Sequence, residues 1–324
     1  MKILITGGLG YIGSNIALQL LKKKNSVLII DNLSNSSKSK IKVIENLSKR
    51  KLFFKKADCK NKSIINKIFK TFKPELVIHL AGLKSVSESL AKPELYYEEN
   101  FLSASVISDA MIKHNVKKLI FSSSATVYGK PKYLPLDEKH ETNPENPYGL
   151  SKLMIEDYFK ILSKNNKNFS VISLRYFNPV GADKSGKLSD NPKVPNNLFP
   201  KINLYLKNKL NFIPIYGNKY STYDGTAIRD YIHIRDLAEA HIYSIDYFKK
   251  KKNFVVFNVG TGQGYSVLEI IKEFMFQNKI NIKIKIKNKR KGDLPEIYSS
   301  VKKISKNLGW KSKLKLNDMC LIKI

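Results

Sequence analysis

The chain begins with a short β-branched run, residues 2–5, followed by Gly7-Gly8-Leu9-Gly10-Tyr11-Ile12-Gly13 and the helical stretch 12–23. Glycines at 7, 10 and 13 allow a tight turn and let the backbone approach a pyrophosphate. That charge then sits on the N-terminus of the following helix. A G-x-x-G-x-x-G run alone says little. Placed after a strand and before a helix, it commits the start of the chain to a nucleotide-binding strand–turn–helix unit.

The rhythm set there continues. Residues 2–5, 27–30, 52–55, 76–79, 118–122 and 170–174 read as strands. Residues 12–23, 40–47, 63–72, 93–114 and 148–163 read as helices. Such alternation predicts an α/β fold with a doubly wound parallel sheet. Ligands bind such sheets at the carboxyl ends of the strands. Gly7–Gly13, Asp31, Asp58, the 80–84 stretch and Ser122–Ser124 all fall at those ends. From about Asn178 the texture changes, with Pro, Asn and Gly punctuating short elements. We expect one domain over 1–177 and a smaller C-terminal lobe over 178–324, with 230–260 partly completing the main sheet.

Composition excludes several classes. No apolar run approaches the roughly 20 residues of a membrane span. Met1-Lys2-Ile3-Leu4-Ile5 runs straight into a strand and turn, so no signal peptide is expected. Cys59 and Cys320 lack metal-ligand spacing, so no metal is expected, and a reducing cytoplasm is the simplest setting. The formal net charge of +31 points toward nucleic acid. The basic residues are scattered, however, and no nucleic-acid motif accompanies them. Only five are arginine: Arg50, Arg175, Arg229, Arg235 and Arg290. Lysine does not supply a planar bidentate fork, which makes the arginines the positions to watch.

Several side chains carry chemistry. Asp31, 18 residues after Gly13, is placed to accept from a ribose and to repel a 2′-phosphate, which favours NAD over NADP. Asp58 is placed to meet an adenine amino group, or is a solvated loop residue. Lys84 is a candidate for the nicotinamide ribose, or an ordinary surface lysine. His79 reads as a packed strand residue. Asp137, Glu138 and Glu141 read as solvated loop carboxylates. Tyr148 and Lys152 lie one helical turn apart on one face. An ammonium beside a phenol favours the phenolate, so Lys152 is expected to lower the Tyr148 pKa and make it a proton acceptor. Ser124 is placed to relay that proton.

With Ser124, Tyr148 and Lys152 in order behind the glycine turn, the chain resembles the extended short-chain dehydrogenase/reductases. Within them it resembles the UDP-glucose 4-epimerase family. The likeness runs through Thr6–Gly13, Asp31-Asn32-Leu33-Ser34-Asn35, the 79–84 and 121–129 stretches, and Leu174-Arg175-Tyr176-Phe177-Asn178-Pro179-Val180-Gly181. It continues through Arg229-Asp230-Tyr231-Ile232-His233 and Arg290-Lys291-Gly292-Asp293-Leu294-Pro295.

The resemblance implies a Rossmann domain holding NAD and a lobe holding a UDP-sugar. It implies that Tyr148 takes the proton of the sugar 4-hydroxyl, while Lys152 lowers its pKa and bonds the nicotinamide ribose. It implies interconversion of UDP-glucose and UDP-galactose with no external oxidant, a homodimer, and no specific nucleic-acid or membrane partner. Implied cofactor contacts are Gly7, Gly10, Tyr11, Ile12 and Gly13, then Asp31, Asn32, Asn35 and Ser36, then Asp58 and Cys59. Leu80, Ala81, Gly82 and Lys84 follow, with Asn100, Ser122, Tyr148, Lys152 and Phe177. On the substrate side it implies Ser124, Thr126 and Tyr148 at the sugar. Asn178 and Asn197 bond the diphosphate and sugar, Leu198 lies beside them, and Arg229 and Arg290 clamp the diphosphate. Ile215, Tyr216 and Tyr231 shape a uridine slot, and Asp293 accepts from the ribose.

Three positions depart from the pattern. Ile297 stands where the family has Tyr or a small residue, which leaves UDP-N-acetylglucosamine open as an alternative substrate. Lys60 replaces an Arg after the adenine-binding Asp. The sequence stops at Leu321-Ile322-Lys323-Ile324, where the family has a longer tail, which bears on stability and dimer packing. Two rivals remain. A nucleotide-sugar 4,6-dehydratase needs an Asp-Glu pair after the active-site Ser or Thr, and Ser124 is followed by Ala125-Thr126-Val127. A non-catalytic NAD- or RNA-binding protein would not need Ser124, Tyr148 and Lys152 together.

Overall fold

The computed structural model describes residues 1–249, 253–290 and 292–321. Lys291 of the Arg290–Pro295 run and the terminal residues 322–324 lie outside the described residues. The main sheet has seven strands: β1 (Lys2–Thr6), β2 (Ser26–Asp31), β3 (Phe53–Lys56), β4 (Leu76–His79), β5 (Lys118–Ser124), β6 (Ser170–Tyr176) and a late strand, Phe254–Val259. The spatial order is Phe254–Val259, β6, β5, β4, β1, β2, β3, and every pairing is parallel. The chain steps outward from β1 to β3, then returns to the other side of β1 as β4. The carboxyl ends of β1 and β4 therefore bound the crevice where the order reverses, the usual ligand position in such sheets.

Burial on both faces explains the nearly unbroken apolar strands. Alternate residues of β1 point to opposite faces. Ile3 and Ile5 join one core with Leu20, Leu237 and Trp310, while Leu4 joins a second with Phe69, Ile107, Phe121 and Phe159. α1 (Tyr11–Lys22) and α2 (Lys40–Ser48) pack on the first core through Ile16, Leu20 and Ile44, and α3 (Lys62–Phe72) packs on the second through Ile65 and Phe69. A short α4 (Val86–Ala91), which the apolar pattern does not announce, precedes α5 (Pro93–Tyr97).

The single helix expected over 93–114 is divided. Between α5 and α6 (Ser103–Lys113) lies a π-helical turn, Glu98–Leu102. π-Turns concentrate at functional sites. This one presents Asn100, whose Oδ1 accepts from Leu83 N at 2.7 Å and whose Nδ2 donates to Ser151 Oγ at 2.9 Å. That bond ties the 80–84 turn to α7 (Pro147–Asn165).

Beyond β6 the small elements alternate. β7 (Asn178–Val180) is followed by α8 (Leu198–Leu206), β8 (Ile213–Tyr216), β9 (Ile228–Arg229) and β10 (Tyr231–His233). Then come α9 (Ile234–Tyr247), β11 (the Phe254–Val259 strand of the main sheet), β12 (Tyr265–Ser266) and α10 (Val267–Asn278). β13 (Ile284–Lys287), β14 (Glu296–Ile297), α11 (Lys302–Leu308) and α12 (Leu316–Cys320) complete the chain. The chain re-enters the main sheet: α9 packs on α1 and β11 lies beside β6. The remaining strands form three small sheets, β10–β7, β13–β8 and β12–β9–β14, around a separate core that includes Ile202, Ile213, Ile270 and Phe274.

Asp230, between β9 and β10, joins these parts. Its Oδ1 accepts from Thr261 N and Oγ1 at 2.7 Å each. Its Oδ2 accepts from Gly262 N and Ser299 N at 3.1 Å each and from Ser299 Oγ at 2.5 Å. The side chain is fully buried. Burial raises its pKa, and the five donors only partly offset that. A Cβ on Gly260 would lie 2.4 Å from Asp230 Oδ2, so only glycine lets the 260–262 loop approach this closely. Asp230→Ala should leave these donors unsatisfied and lower unfolding stability by about 3 kcal/mol or more. A urea midpoint equal to that of the parent protein would show the knot to be dispensable.

Candidate active site

The glycine turn closes the amino-terminal side of the crevice. Gly7 has φ +65, and a Cβ there would lie 2.8 Å from Ala81 N. A Cβ on Gly13 would meet Gly8 Cα at 2.6 Å. The hollow between the turn and Ala81 is thus one that side chains at 7 or 13 would fill. It is bounded by the N-terminus of α1, where Gly10 is the cap residue. Thr6 Oγ1 accepts from Leu80 N and Ala81 N at 3.2 Å each and pairs with His79 Nδ1 at 2.7 Å. Burial holds the His79 pKa down at about 3. This is the packed, neutral role expected for it.

Asp31 Oδ2 accepts from Leu9 N at 3.0 Å, and Oδ1 accepts from Leu33 N at 2.9 Å and Ser36 Oγ at 2.8 Å. A carboxylate has roughly four lone-pair sites, so one remains for a ribose hydroxyl. Asp58 Oδ1 accepts from Lys60 N at 2.8 Å, and burial pushes the Cys59 thiol up to about 12. Lys60 turns to Glu98 and Glu99. Asn32 caps the loop through Ser34 N at 3.0 Å.

Sequence reading missed a strap from the later part of the chain. Tyr11 Oη donates to Gly181 O at 2.7 Å, and Asn15 Nδ2 donates to Leu188 O at 2.9 Å. Lys193 N donates to Asn35 Oδ1 at 3.4 Å. Lys84 is half exposed and pairs with Asp190 at 3.7 Å. Residues 181–193 thereby lie across the open edge of the cofactor turn.

Ser122, Ser123 and Ser124 end β5. Opposite them, Pro147 opens α7, and Asn146 Oδ1 caps it by accepting from Gly149 N at 2.8 Å. A Cβ on Gly149 would lie 2.7 Å from Thr126 O, so glycine lets the helix start press on the 125–127 turn. This contact brings Tyr148 to the turn after Ser124, whose Oγ accepts from Thr126 N at 3.2 Å. Ser124 Oγ also accepts from Thr126 Oγ1 at 2.9 Å. Tyr96 meets the Tyr148 ring edge-on at 6.3 Å and is itself anchored by donating to Glu88 Oε2 at 2.8 Å.

One expectation is reversed here. Burial raises the Tyr148 pKa, with Ser124 acting to lower it. Lys152 points the other way. Its Nζ donates to Ser122 O at 2.9 Å and lies over the Phe121 ring at 5.0 Å. Burial lowers the Lys152 pKa to about 8, despite Glu156 one turn further on. The ammonium is bonded to a β5 carbonyl, and burial acts against ionisation of the phenol.

A second correction concerns Glu138. It accepts from Asn258 N at 2.8 Å, and burial raises its pKa. Asn258 Oδ1 in turn accepts from Tyr128 Oη at 2.6 Å, and Arg175 lies over the Tyr128 ring at 4.7 Å. Arg175 Nε donates to the buried Glu156 at 3.1 Å. The scarcity of arginine was the one available sign of this pair.

Across the crevice, Arg229, Arg290, Asp293 and Tyr216 converge. Asp293 sits 2.8 Å from Arg290 Nε and 3.5 Å from Arg229 Nη2. Arg290 lies over the Tyr216 ring at 4.9 Å, and Lys201 Nζ donates to Tyr216 Oη at 2.9 Å. Ile215 and Tyr231 belong to the lobe core, and burial pushes the Tyr231 hydroxyl up to about 12. Asn178 N donates to Asp230 O at 3.0 Å. Phe177 is buried. Asn197 is exposed at the start of α8, with Leu198 partly buried beside it. Ile297 pairs with Arg229 in the β14–β9 ladder and packs on the cluster of Val127, Tyr128, Leu136 and Phe177. It thus stands between the Ser124 turn and the guanidinium pair.

This geometry agrees with comparison to known proteins. The model of the NAD dependent epimerase/dehydratase family matches residues 3–260. The chain is 45% identical to a UDP-glucose 4-epimerase of Yersinia enterocolitica, covering 98% of this chain and 95% of that one. It is 40% identical to a UDP-glucose 4-epimerase of Bacillus subtilis, covering 99% and 95%. The crystal structure of UDP-glucose 4-epimerase from Bifidobacterium longum, solved with NAD+ and UDP, superposes with a TM-score of 0.95 at 42% identity, covering 99% and 96%. The chain belongs to the NAD dependent epimerase/dehydratase family.

Proposed function

We propose that the protein is a UDP-glucose 4-epimerase that interconverts UDP-glucose and UDP-galactose with NAD. The observation that carries this reading is the placement of Tyr148, at the start of α7, on the turn that follows Ser124 at the carboxyl end of β5, with the paired arginines joined to the same turn through Ile297. NAD would lie on the glycine turn, with Asp31 at a ribose, and supplies an acceptor for the C4 hydride that it then returns. Arg229 and Arg290 would hold the diphosphate by charge-assisted bonds. The anchored diphosphate leaves the sugar free to present either face. Tyr148 would take the 4-hydroxyl proton with Ser124 as the relay, and give it back when the sugar is reduced. Lys152, fixed on Ser122 O, would meet the ribose of the cofactor. Ala125-Thr126-Val127 after Ser124 offers no carboxylate pair for dehydration.

The finer parts of the reading are a homodimer and a cytoplasmic location. Leu150 and Met154, four residues apart on α7, are each 39% exposed, and Ile161 is 61% exposed. That apolar face is suited to a second copy. A solution mass of two chains, reduced to one by Ile161→Lys with Met154→Lys, is expected from analytical ultracentrifugation. A single-chain mass for the parent protein would end the dimer reading. Both thiols are unpaired and buried, which suits a reducing compartment, and no described helix is long and apolar enough to cross a membrane. Fractionation of expressing cells tests the location.

A second reading concerns substrate range. Ile297 is aliphatic and packs on an apolar cluster, so it fills less of the sugar pocket than Tyr would and leaves room for an N-acetyl group.

Purified protein without added reductant should convert UDP-galactose to UDP-glucose. Tyr148→Phe should slow this by about 10²–10⁴ while the fold is kept. Absence of conversion by folded, NAD-loaded parent protein would sink the proposal. If Ile297 sets the range, UDP-N-acetylgalactosamine should turn over too, and Ile297→Tyr should abolish only that activity.

The Lys152 pKa gives a stability test in cofactor-free protein. Its folded value, about 8, lies below its ordinary one. Below pH 8 the chain bears the full cost of a buried ammonium. That cost falls as pH rises from about 8 toward the ordinary lysine value. Lys152→Met should therefore gain most, relative to the parent, at pH 7, with the gap narrowing by pH 10. A gap independent of pH in urea unfolding would refute the assignment.

A further inference from the structure

Tyr220 is absent from every residue set read so far. It sits in the turn after β8, where its N–H donates to Gly225 O at 3.0 Å. Its ring lies against Gly217, which has φ +84. A Cβ on that glycine would be 2.5 Å from Tyr220 Cε2, so the glycine makes room for the ring. The ring is thereby fixed, and its hydroxyl is enclosed without a hydrogen-bond partner. Gly217 adjoins Tyr216, whose ring lies under Arg290 at 4.9 Å, so Tyr220 borders the cluster of Asp293, Arg229 and Arg290. They are the three that form the proposed diphosphate site.

A buried hydroxyl without a partner is unfavourable, and native structures keep few of them. Such groups gain a partner when a ligand arrives. Near Tyr220 the available acceptor, the Asp293 carboxylate, is taken up by Arg290 at 2.8 Å and Arg229 at 3.5 Å. An anion drawn between the two guanidiniums would bring acceptor oxygens into this neighbourhood. Phosphate oxygens accept strongly, and a rigid phenol loses little freedom in donating to one.

We propose that Tyr220 is a binding residue of this site, whose hydroxyl donates to a diphosphate oxygen of the nucleotide sugar. This rests on the UDP-sugar reading and extends it by one residue. The role belongs to binding and not to chemistry, because Tyr220 lies with the arginine pair and not with Ser124 and Tyr148.

Tyr220→Phe removes one oxygen and keeps the ring on Gly217. The variant should hold UDP roughly tenfold more weakly by calorimetry. Its KM for UDP-galactose should rise by a similar factor with kcat unchanged. Inhibition by uridine, which has no diphosphate, should be unaltered. The nucleotide-free variant should melt at or above the parent temperature, since an unpaired hydroxyl has been removed. A purely structural tyrosine would lower that temperature instead. Unchanged UDP affinity, or uridine weakened as much as UDP, overturns the inference while parent turnover leaves the epimerase reading standing. A parent protein that neither binds UDP nor turns over UDP-galactose overturns both.

Discussion

Asp230 is a buried carboxylate held by neutral donors. Ion pairs can be exchanged for apolar contacts at little cost, but a buried charge satisfied by several backbone and hydroxyl donors admits no simple replacement. The donors come from the loop after β11 and from the segment after β14. β11 belongs to the main sheet and β14 to the small one that carries Ile297. One side chain therefore fixes the distance between the sheet that would hold the cofactor and the strands that would hold the nucleotide. Its chain neighbours inherit that fixity: Arg229 on one side, Tyr231 paired with Asn178 on the other. A transferred hydride tolerates little misplacement, so the knot acts at a distance on the chemistry.

The second constraint is electrical. Tyr148 and Lys152 occupy one helix face, but neighbouring positions do not guarantee neighbouring charges. The strand carbonyl of Ser122 attracts the ammonium, and burial acts on both groups against their ionised forms. A phenol that ionised readily without ligand would be a base in search of any acid. One that needs a neighbouring positive charge ionises only when the site is assembled. The fold thus separates holding the catalytic groups from activating them.

The sequence revealed most about regions where local rules coincide. The glycine turn, the apolar strands and the order of alternation each imply the sheet, and Asp31 and Ser124 then fall at strand ends and Tyr148 at the start of a helix by arithmetic. It was less informative where geometry depends on distant partners. The π-turn at 98–102 could not be told from a continuous helix, because no propensity marks the extra residue. Glu138 looked like a loop carboxylate, since its partner Asn258 lies 120 residues away. The direction of the Lys152 side chain was misjudged for the same reason: i, i+4 spacing gives the face, whereas Ser122 O decides where the charge rests. Arg229, Arg290 and Asp293 were named through family likeness, and no period in the sequence would have brought them together.

The nucleotide site also shows how little the +31 charge decides. Lysines spread over the surface raise a diffuse potential, which helps an anion arrive but is screened within about 8–10 Å at ordinary salt. At the site itself Asp293 holds both guanidiniums in place before any ligand enters. A diphosphate bound as proposed would have to exchange one carboxylate for two phosphates, and only the difference would contribute to binding. Prepositioning lowers the ordering cost of two long side chains, while the exchange limits affinity to ligands that offer more acceptor oxygens than one carboxylate does. In the proposed site, selectivity for a doubly phosphorylated nucleotide over a simple anion would follow from the fixed spacing of the two arginines, which Asp293 maintains and net charge could not supply.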